Sequence, residues 1–361
     1  MRSRGPLGLT DLAKGAELSR PTVEGLVEEL LAAGWLRELP PETGQMGRPA
    51  RLFTFHAEGG HVLGIDIGSY TLRAGVSDLD GTIVGTHAEQ IASTAGRADR
   101  LAALRTAIAG ALKASGITAD RIAAVCAGTT GVVTAEGVVK LSVGLPEWTG
   151  LDLAGELRET FDCPILVEND CNLAALAERW RGQAGSVDDL VFVLAGVRTG
   201  AGILVGGELL KGVNGAAGEI GALPLIGWHR APAHLTGFRD LPSGTQPQDA
   251  AAQVFAAARS GDAAAEWAVD QYARDLAEGI AALVLTVDPE LVVLGGGVSR
   301  SGDVLLAPVR RHLDPFCLAT PVVAISDLGE QAVLLGAVRR ALDHVDARLY
   351  DTDTPLPKPS P

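Results

Sequence analysis

The chain has 361 residues, 47% of them hydrophobic, with 45 glycines, only 4% aromatics and a formal net charge of −14. That length accommodates two or three domains, and the glycine excess points to a turn-rich α/β protein with many close backbone approaches. No apolar run is long enough to span a bilayer and none marks a signal peptide; Cys126, Cys163, Cys171 and Cys317 show no paired spacing, so disulfides and a zinc site are set aside for buried thiols of a cytoplasmic protein.

Residues 1–60 carry seven Lys+Arg and eight Asp+Glu, which leaves −13 of the charge to the rest of the chain. A near-neutral head can present a basic face, whereas an acidic body is repelled from phosphate. Residues 9–14 begin a short helix with Thr10 or Asp11 as its N-cap, and residues 15–18 make a turn. Ser19 caps a second helix with Pro21 in its first turn and an apolar stripe of Val23, Leu26, Val27, Leu30 and Leu31. Strands are expected from Trp35 and over residues 51–55, joined by a polar loop and Gly47-Arg48-Pro49. Helix, turn, helix and hairpin is the winged helix-turn-helix plan. It puts Ser19, Arg20, Thr22 and Glu24 near bases and phosphates, and Arg48 and Arg51 at the wing. A helix normally precedes this unit, so residues 2–6 read as the tail of a truncated first helix. The alternative is a small helix–hairpin cap for protein contacts.

The body contains an internal echo. Strands are expected over residues 61–68, 72–76 and 82–85, and a second meander over 190–194, 200–205 and 208–210, each with a Gly-rich first turn. Between them come helices 101–112, 153–161 and 172–180 and strands 122–125 and 164–167. Helices 248–258, 263–285, 303–313 and 330 to about 344 follow, with strands 291–294 and 322–325. Two similar lobes would then face each other across a cleft where backbone N–H groups cradle phosphates. The division is a winged head over 1–58, with its first helix truncated, and a body over 59–347. Lobe one covers about 59–180 plus the helix 330–347, lobe two about 181–329, and residues 348–361 form a Pro-rich disordered tail.

Asp66-Ile67-Gly68, Glu168-Asn169-Asp170-Cys171-Asn172, Thr199-Gly200-Ala201-Gly202, the Gly-rich run 215–221 and Gly295-Gly296-Gly297 occur in one order. In that order the chain resembles the ROK family of repressors, open reading frames and sugar kinases, whose repressors carry a winged head ending in Gly-Arg-Pro. The resemblance implies an α/β class, duplicated actin/hexokinase-like two-lobe fold behind a winged helix-turn-helix. It implies Asp170 as catalytic base, and Asn169, Asp170 and Glu219 as sugar contacts. Asp66 and Gly68 would form the first phosphate loop, with Asp66 orienting magnesium-bound water; Thr199, Gly200 and Gly202 the second; and Gly296 and Gly297 a nucleotide-side turn. Read on its own, Asp170 could simply cap the following helix, and each glycine could serve an ordinary turn.

The departures weigh against catalysis. The histidine that the kinases use for sugar and zinc is Ala222, and residues 228–234 (Trp228 to His234) offer two histidines and no cysteine, best read as a solvated loop. The expected Asn before Leu-Pro is Gly144, and Ser69-Tyr70 crowds the first phosphate loop. Each lost polar contact is worth about 0.5–1.5 kcal/mol. The reading is therefore a cytoplasmic, sugar-responsive DNA-binding regulator, in repressor mode, with a degenerate kinase site kept for sensing. Its partners are a DNA operator, a sugar or sugar derivative and further copies of itself as a homodimer or higher oligomer, with no membrane. It requires no cofactor and no metal, zinc included. The alternative is an active ATP-dependent, glucokinase-like sugar kinase, using ATP and magnesium, with a vestigial head.

Overall fold

The computed structural model describes residues 5–40, 51–196, 198–238, 241 and 245–349. The head comprises β1 (Leu7–Gly8), α1 (Leu9–Ala16), α2 (Arg20–Ala32), β2 (Leu36–Leu39) and β3 (Leu52–Phe55). Its strands form an antiparallel sheet in the order β1-β3-β2. Helix α2 starts as expected: Ser19 Oγ accepts from the Thr22 N–H at 3.3 Å and Pro21 sits in the first turn. Helix α1 differs. It runs on to Ala16, its N-cap is Gly8 rather than Thr10 or Asp11, and Glu17 closes it at φ 55°. The cause is β1, which pairs Leu7 with Phe53 and thereby sets where the helix begins. Residues 7 and 8 are thus an edge strand directly after the segment 2–6 read as the tail of a truncated helix; residues 1–4 and the Gly47-Arg48-Pro49 segment lie outside the described residues. The head core is Leu9, Val23, Val27, Leu36 and Phe53, while Leu26 leaves the predicted stripe and is 44% exposed.

The body repeats one topology twice. Strands β4 (His61–Ile67), β5 (Thr71–Asp78) and β6 (Ile83–Gln90) form the first meander, followed by α3 (Arg97–Ser115) and β7 (Ile122–Thr129). A small sheet of β8 (Val132–Val133), β9 (Val138–Leu141) and β10 (Leu151–Asp152), not foreseen from the sequence, leads into α4 (Leu153–Arg158), β11 (Ile165–Asn169) and α5 (Asp170–Arg181). The second meander is β12 (Leu190–Leu194), β13 (Gly200–Val205) and β14 (Glu208–Leu209). Then come α6 (Ala231–Thr236), α7 (Pro247–Arg259), α8 (Ala263–Val287), β15 (Leu291–Gly295), α9 (Gly302–Leu313), β16 (Val322–Ile325) and α10 (Ala332–Leu349). The sheet orders are β11-β7-β4-β5-β6 and β14-β13-β12-β15-β16, the same arrangement read from opposite ends. In each, two parallel strands extend a three-stranded antiparallel meander.

One face of the first sheet packs on α3 through Leu101, Leu104, Ala107 and Ile108, and one face of the second on α7, α8 and α9. Helices α5 and α10 fill the space between the two sheets. Helix α10 packs on the first sheet through Val338 and Leu342, and α5 on the second through Cys171, Ala174 and Ala175. A β-carbon at Gly336 would overlap the Leu173 carbonyl, so the α5–α10 approach requires glycine there.

Residues 228–234 correct the solvated-loop reading. Trp228 is 2% exposed, its indole N–H donates to Leu276 O at 3.0 Å, and Gly279 makes room for the ring. His234 bonds the fully buried Asp275 at 2.9 Å, and Arg230 and Arg274 also reach that carboxylate. This segment staples α6 to α8.

Candidate functional site

Parallel strands bring their carboxyl ends to one edge, where ligands of such sheets bind. Register puts Ile67, Thr129 and Asn169 side by side in lobe one, and Leu194 beside Gly295 in lobe two. The loops leaving those ends carry Gly68, Asp170, Arg198-Thr199 and Gly296-Gly297, so the sequence-predicted residues converge on one cleft.

Asn169, not Asp170, caps α5: its Oδ1 accepts from the Cys171 and Asn172 N–H groups at 2.8 and 3.2 Å, and its Nδ2 donates to Gly131 O at 3.0 Å. This division of labour leaves the Asp170 carboxylate, among the described residues, with hydrogen bonds from Cys171 alone: its N–H at 2.9 Å and its thiol. Burial pushes Asp170 up to about 6, with Glu219 adding repulsion and Arg198 working the other way. Glu219 lies on the lobe-two loop before the short turn at residues 220–222, and burial raises its pKa as well. Glu168, beneath, is buried and accepts from Asn169 N and from Asn172 Nδ2, each at 3.0 Å; it also pairs with Lys211 of lobe two.

The phosphate-loop residues separate into distinct cases. Asp66 is buried and raised to about 7 by desolvation, against the pull of Arg73, whose guanidinium sits 3.3 Å from its Oδ2. Arg73 is thus the counter-ion of one oxygen, Oδ2, of this carboxylate. Gly200 and Gly202 are explained by packing, since β-carbons there would strike Cys171 Sγ and the Cys171 carbonyl. Gly296 has φ +82° and abuts Ala195 O, a turn requirement. Gly297 alone of these faces open space. The Thr199 hydroxyl is buried with no hydrogen-bond partner among the described residues.

Four further residues shape the cleft and escaped the sequence reading. Trp148 is fully buried and its indole N–H donates to Thr129 Oγ1 at 2.9 Å, anchoring the 141–148 stretch. Arg100, on α3, is fully buried and donates to Gly68 O at 2.8 Å, holding the first loop. Lys211 ties lobe two to Glu168, and Arg198 projects across the cleft to Gly144. A charged residue directly before Thr-Gly-x-Gly was the only available signal for Arg198. Arg100 had none, being one more arginine on a charged helix.

At the head, Arg20 and Glu24 are exposed on the first turns of α2, while the Ser19 and Thr22 hydroxyls bond one another at 2.7 Å. Arg51 is held by Glu38 and Glu28 at 2.8 and 2.9 Å. Arg48 lies outside the described residues.

A duplicated two-lobe body with its polar cleft at the strand ends, behind a helix-turn-helix head, defines a sugar-kinase-type fold joined to a DNA-binding module. The ROK family profile matches residues 62–234 and 233–343, and the IclR helix-turn-helix domain profile matches residues 1–40. The chain belongs to the ROK family. It is 25% identical to a xylose repressor of Caldicellulosiruptor bescii over 358 residues, covering 91% of this chain and 90% of that one. It is 34% identical to a glucokinase of Halalkalibacterium halodurans over 222 residues, 52% of this chain and 67% of that one. Among solved structures, a ROK glucokinase from Streptomyces griseus in complex with glucose and AMPPNP superposes with a TM-score of 0.67 at 26% identity over 79% of this chain and all of that one. A ROK transcriptional regulator, a homologue of the E. coli MLC protein, superposes at 0.71 over 93% of this chain and 92% of that one, at 23% identity.

Proposed function

We propose that this chain is a sugar-responsive transcriptional repressor, its head reading an operator and its kinase-like cleft holding the effector. The observation that carries the reading is the pairing, in one chain, of a helix-turn-helix head and a ROK body that align together, nearly end to end, with a repressor. Effector closing the cleft acts on α5, whose first residue is Asp170. Helix α5 packs on α10, and α10 shares a buried cluster with Trp35 of the head. The body thereby has a continuous packed route to the DNA-binding unit. A homodimer would present two α2 helices to two half-sites, and the working compartment is the cytoplasm. No helix among the described residues is long and apolar enough to cross a membrane. The purified chain should bind a fragment of its own upstream DNA in a fluorescence anisotropy titration, and a sugar panel should include one that weakens binding by about 5–150-fold. An anisotropy unchanged by both operator and sugars would defeat this reading.

The Asp170 carboxylate, released from the capping role and raised to about 6 by burial, favours a second reading as an ATP-dependent sugar kinase. Sugar-dependent ADP release, abolished in Asp170→Asn, would establish it.

A further inference from the structure

Arg198 stands in the loop between β12 and β13 on lobe two, yet its guanidinium reaches lobe one. A β-carbon built on Gly144 would overlap Arg198 Nη1 and lie 3.2 Å from Thr130 Oγ1. The missing side chain at 144, where the resemblance led one to expect a hydroxyl-binding Asn, is thus the space that the guanidinium occupies. Loss of one group and gain of the other are a single geometric exchange.

Arg198 makes no hydrogen bond or ion pair among the described residues. Its charged neighbours are Asp170 and a second guanidinium, that of Arg100, with the Tyr70 phenol also nearby. Arg100 is fully buried and, among the described residues, answered only by backbone carbonyls of Gly68 and Ala95, with Nε unpartnered. Next along the chain from Arg198, the Thr199 hydroxyl is buried and also without a partner. Among the described residues, the Arg100 Nε and the Thr199 hydroxyl are buried donors without partners, and the exposed Arg198 guanidinium beside them has no carboxylate salt bridge. A guanidinium fork matches the oxygens of a phosphate or carboxylate, and such charge-assisted bonds are the strong ones. A neutral sugar hydroxyl would use that fork poorly.

We propose that the cleft binds an anionic sugar, one bearing a phosphate or carboxylate on the carbon presented to Asp170, with Arg198 and Thr199 as its oxyanion-binding residues. The proposal rests on the sensor reading above and deepens it. The anion lies on the sugar side, because Arg198 packs against Gly144 of the 141–148 stretch and faces Asp170, while the open nucleotide-side position is Gly297. An anion already in place also explains why a kinase site could be kept for sensing: the position of the accepting hydroxyl is filled.

The test is isothermal titration of the full-length chain with glucose 6-phosphate, glucuronate, glucose, inorganic phosphate and ATP. One or both anionic sugars should bind at least about 10-fold more tightly than glucose and than inorganic phosphate. Arg198→Met should weaken that anionic sugar by roughly 10- to 100-fold, leaving glucose within about 2-fold. Arg198→Lys should restore part of the loss, and Gly144→Asn, which displaces the guanidinium, should reproduce it. The proposal is overturned if Arg198→Met leaves the anionic sugars unchanged, if its effect falls on ATP instead, or if inorganic phosphate binds as well as the phosphorylated sugar. Glucose binding that weakens operator affinity, with Arg198→Met silent, would overturn the anionic class and leave the sugar sensor standing. Failure of every sugar to bind or to shift operator affinity would remove both.

Discussion

Asp170 owes its raised pKa to burial, and its freedom from the capping role to the residue before it. Because Asn169 takes the capping bonds of α5, the carboxylate stays in the cleft with hydrogen bonds from Cys171 alone among the described residues, and burial lifts it from the ordinary 3.8 to about 6. Between those values the folded chain holds a proton that the unfolded chain has released, so this group lowers stability as pH rises through that window, and its full cost stands above about 6. At about 1.4 kcal/mol per unit, Asp170→Asn should stabilise the chain by on the order of 1–3 kcal/mol at pH 8 and by much less at pH 4. Urea unfolding at the two pH values checks this; a gain independent of pH would assign the effect to packing instead. Asp66, raised to about 7 by burial, has Arg73 against that trend and extends the same dependence toward neutrality.

Among elements, α10 has the most consequential position. It covers the first sheet, meets α5 at Gly336 and reaches the head through a cluster that includes Trp35, Val338, Leu342 and Val345. The head is also tied down by the Leu79 N–H donating to Ala57 O at 3.1 Å, while the His56 N–H donates to Trp35 O at 2.9 Å within the head. Val345→Ala, under the head and far along the helix from Gly336, should cost about 1–2 kcal/mol in stability. It should leave effector affinity of the body intact while shrinking the effector's influence on operator affinity. Titration of DNA with and without saturating effector reads that ratio; an undiminished ratio would show that coupling bypasses α10. Helix α5 is tied to lobe two in turn, since buried Glu178 meets Ser326 and also accepts from Gln183 N at 2.9 Å.

For the whole molecule, a charge of −14 concentrated outside the head limits how much of the surface can approach DNA. Arg51 and Arg37 are paired with glutamates, so the exposed Arg20 at the start of α2 is the described cation best placed for phosphate. Arg20→Ala should weaken binding across operator and non-operator DNA alike and reduce the slope of log K against log salt by about 1. A loss confined to one operator position would instead make Arg20 a base reader.

The order of elements, the duplicated meanders and the motif glycines were legible in the sequence because period-two strands, Gly-rich turns and helix caps are local signals. Ser19 and Pro21 located α2, and strands 190–194, 200–205 and 322–325 were read to the residue. The family resemblance, rather than a local signal, singled out Asp170; the local alternative, Asp170 as helix cap, gives way to Asn169, whose rotamer decides it. Local signals failed at α1, whose start is set by pairing with a strand more than forty residues away, and at residues 228–234, whose burial depends on α8. Only tertiary structure could show that Gly200 and Gly202 make room for Cys171, that Arg100 is buried, and that Gly144 makes way for Arg198. Those facts come from segments far apart in the chain meeting across a sheet or a cleft, where excluded volume and unpaired charge, rather than periodicity, decide what each residue does.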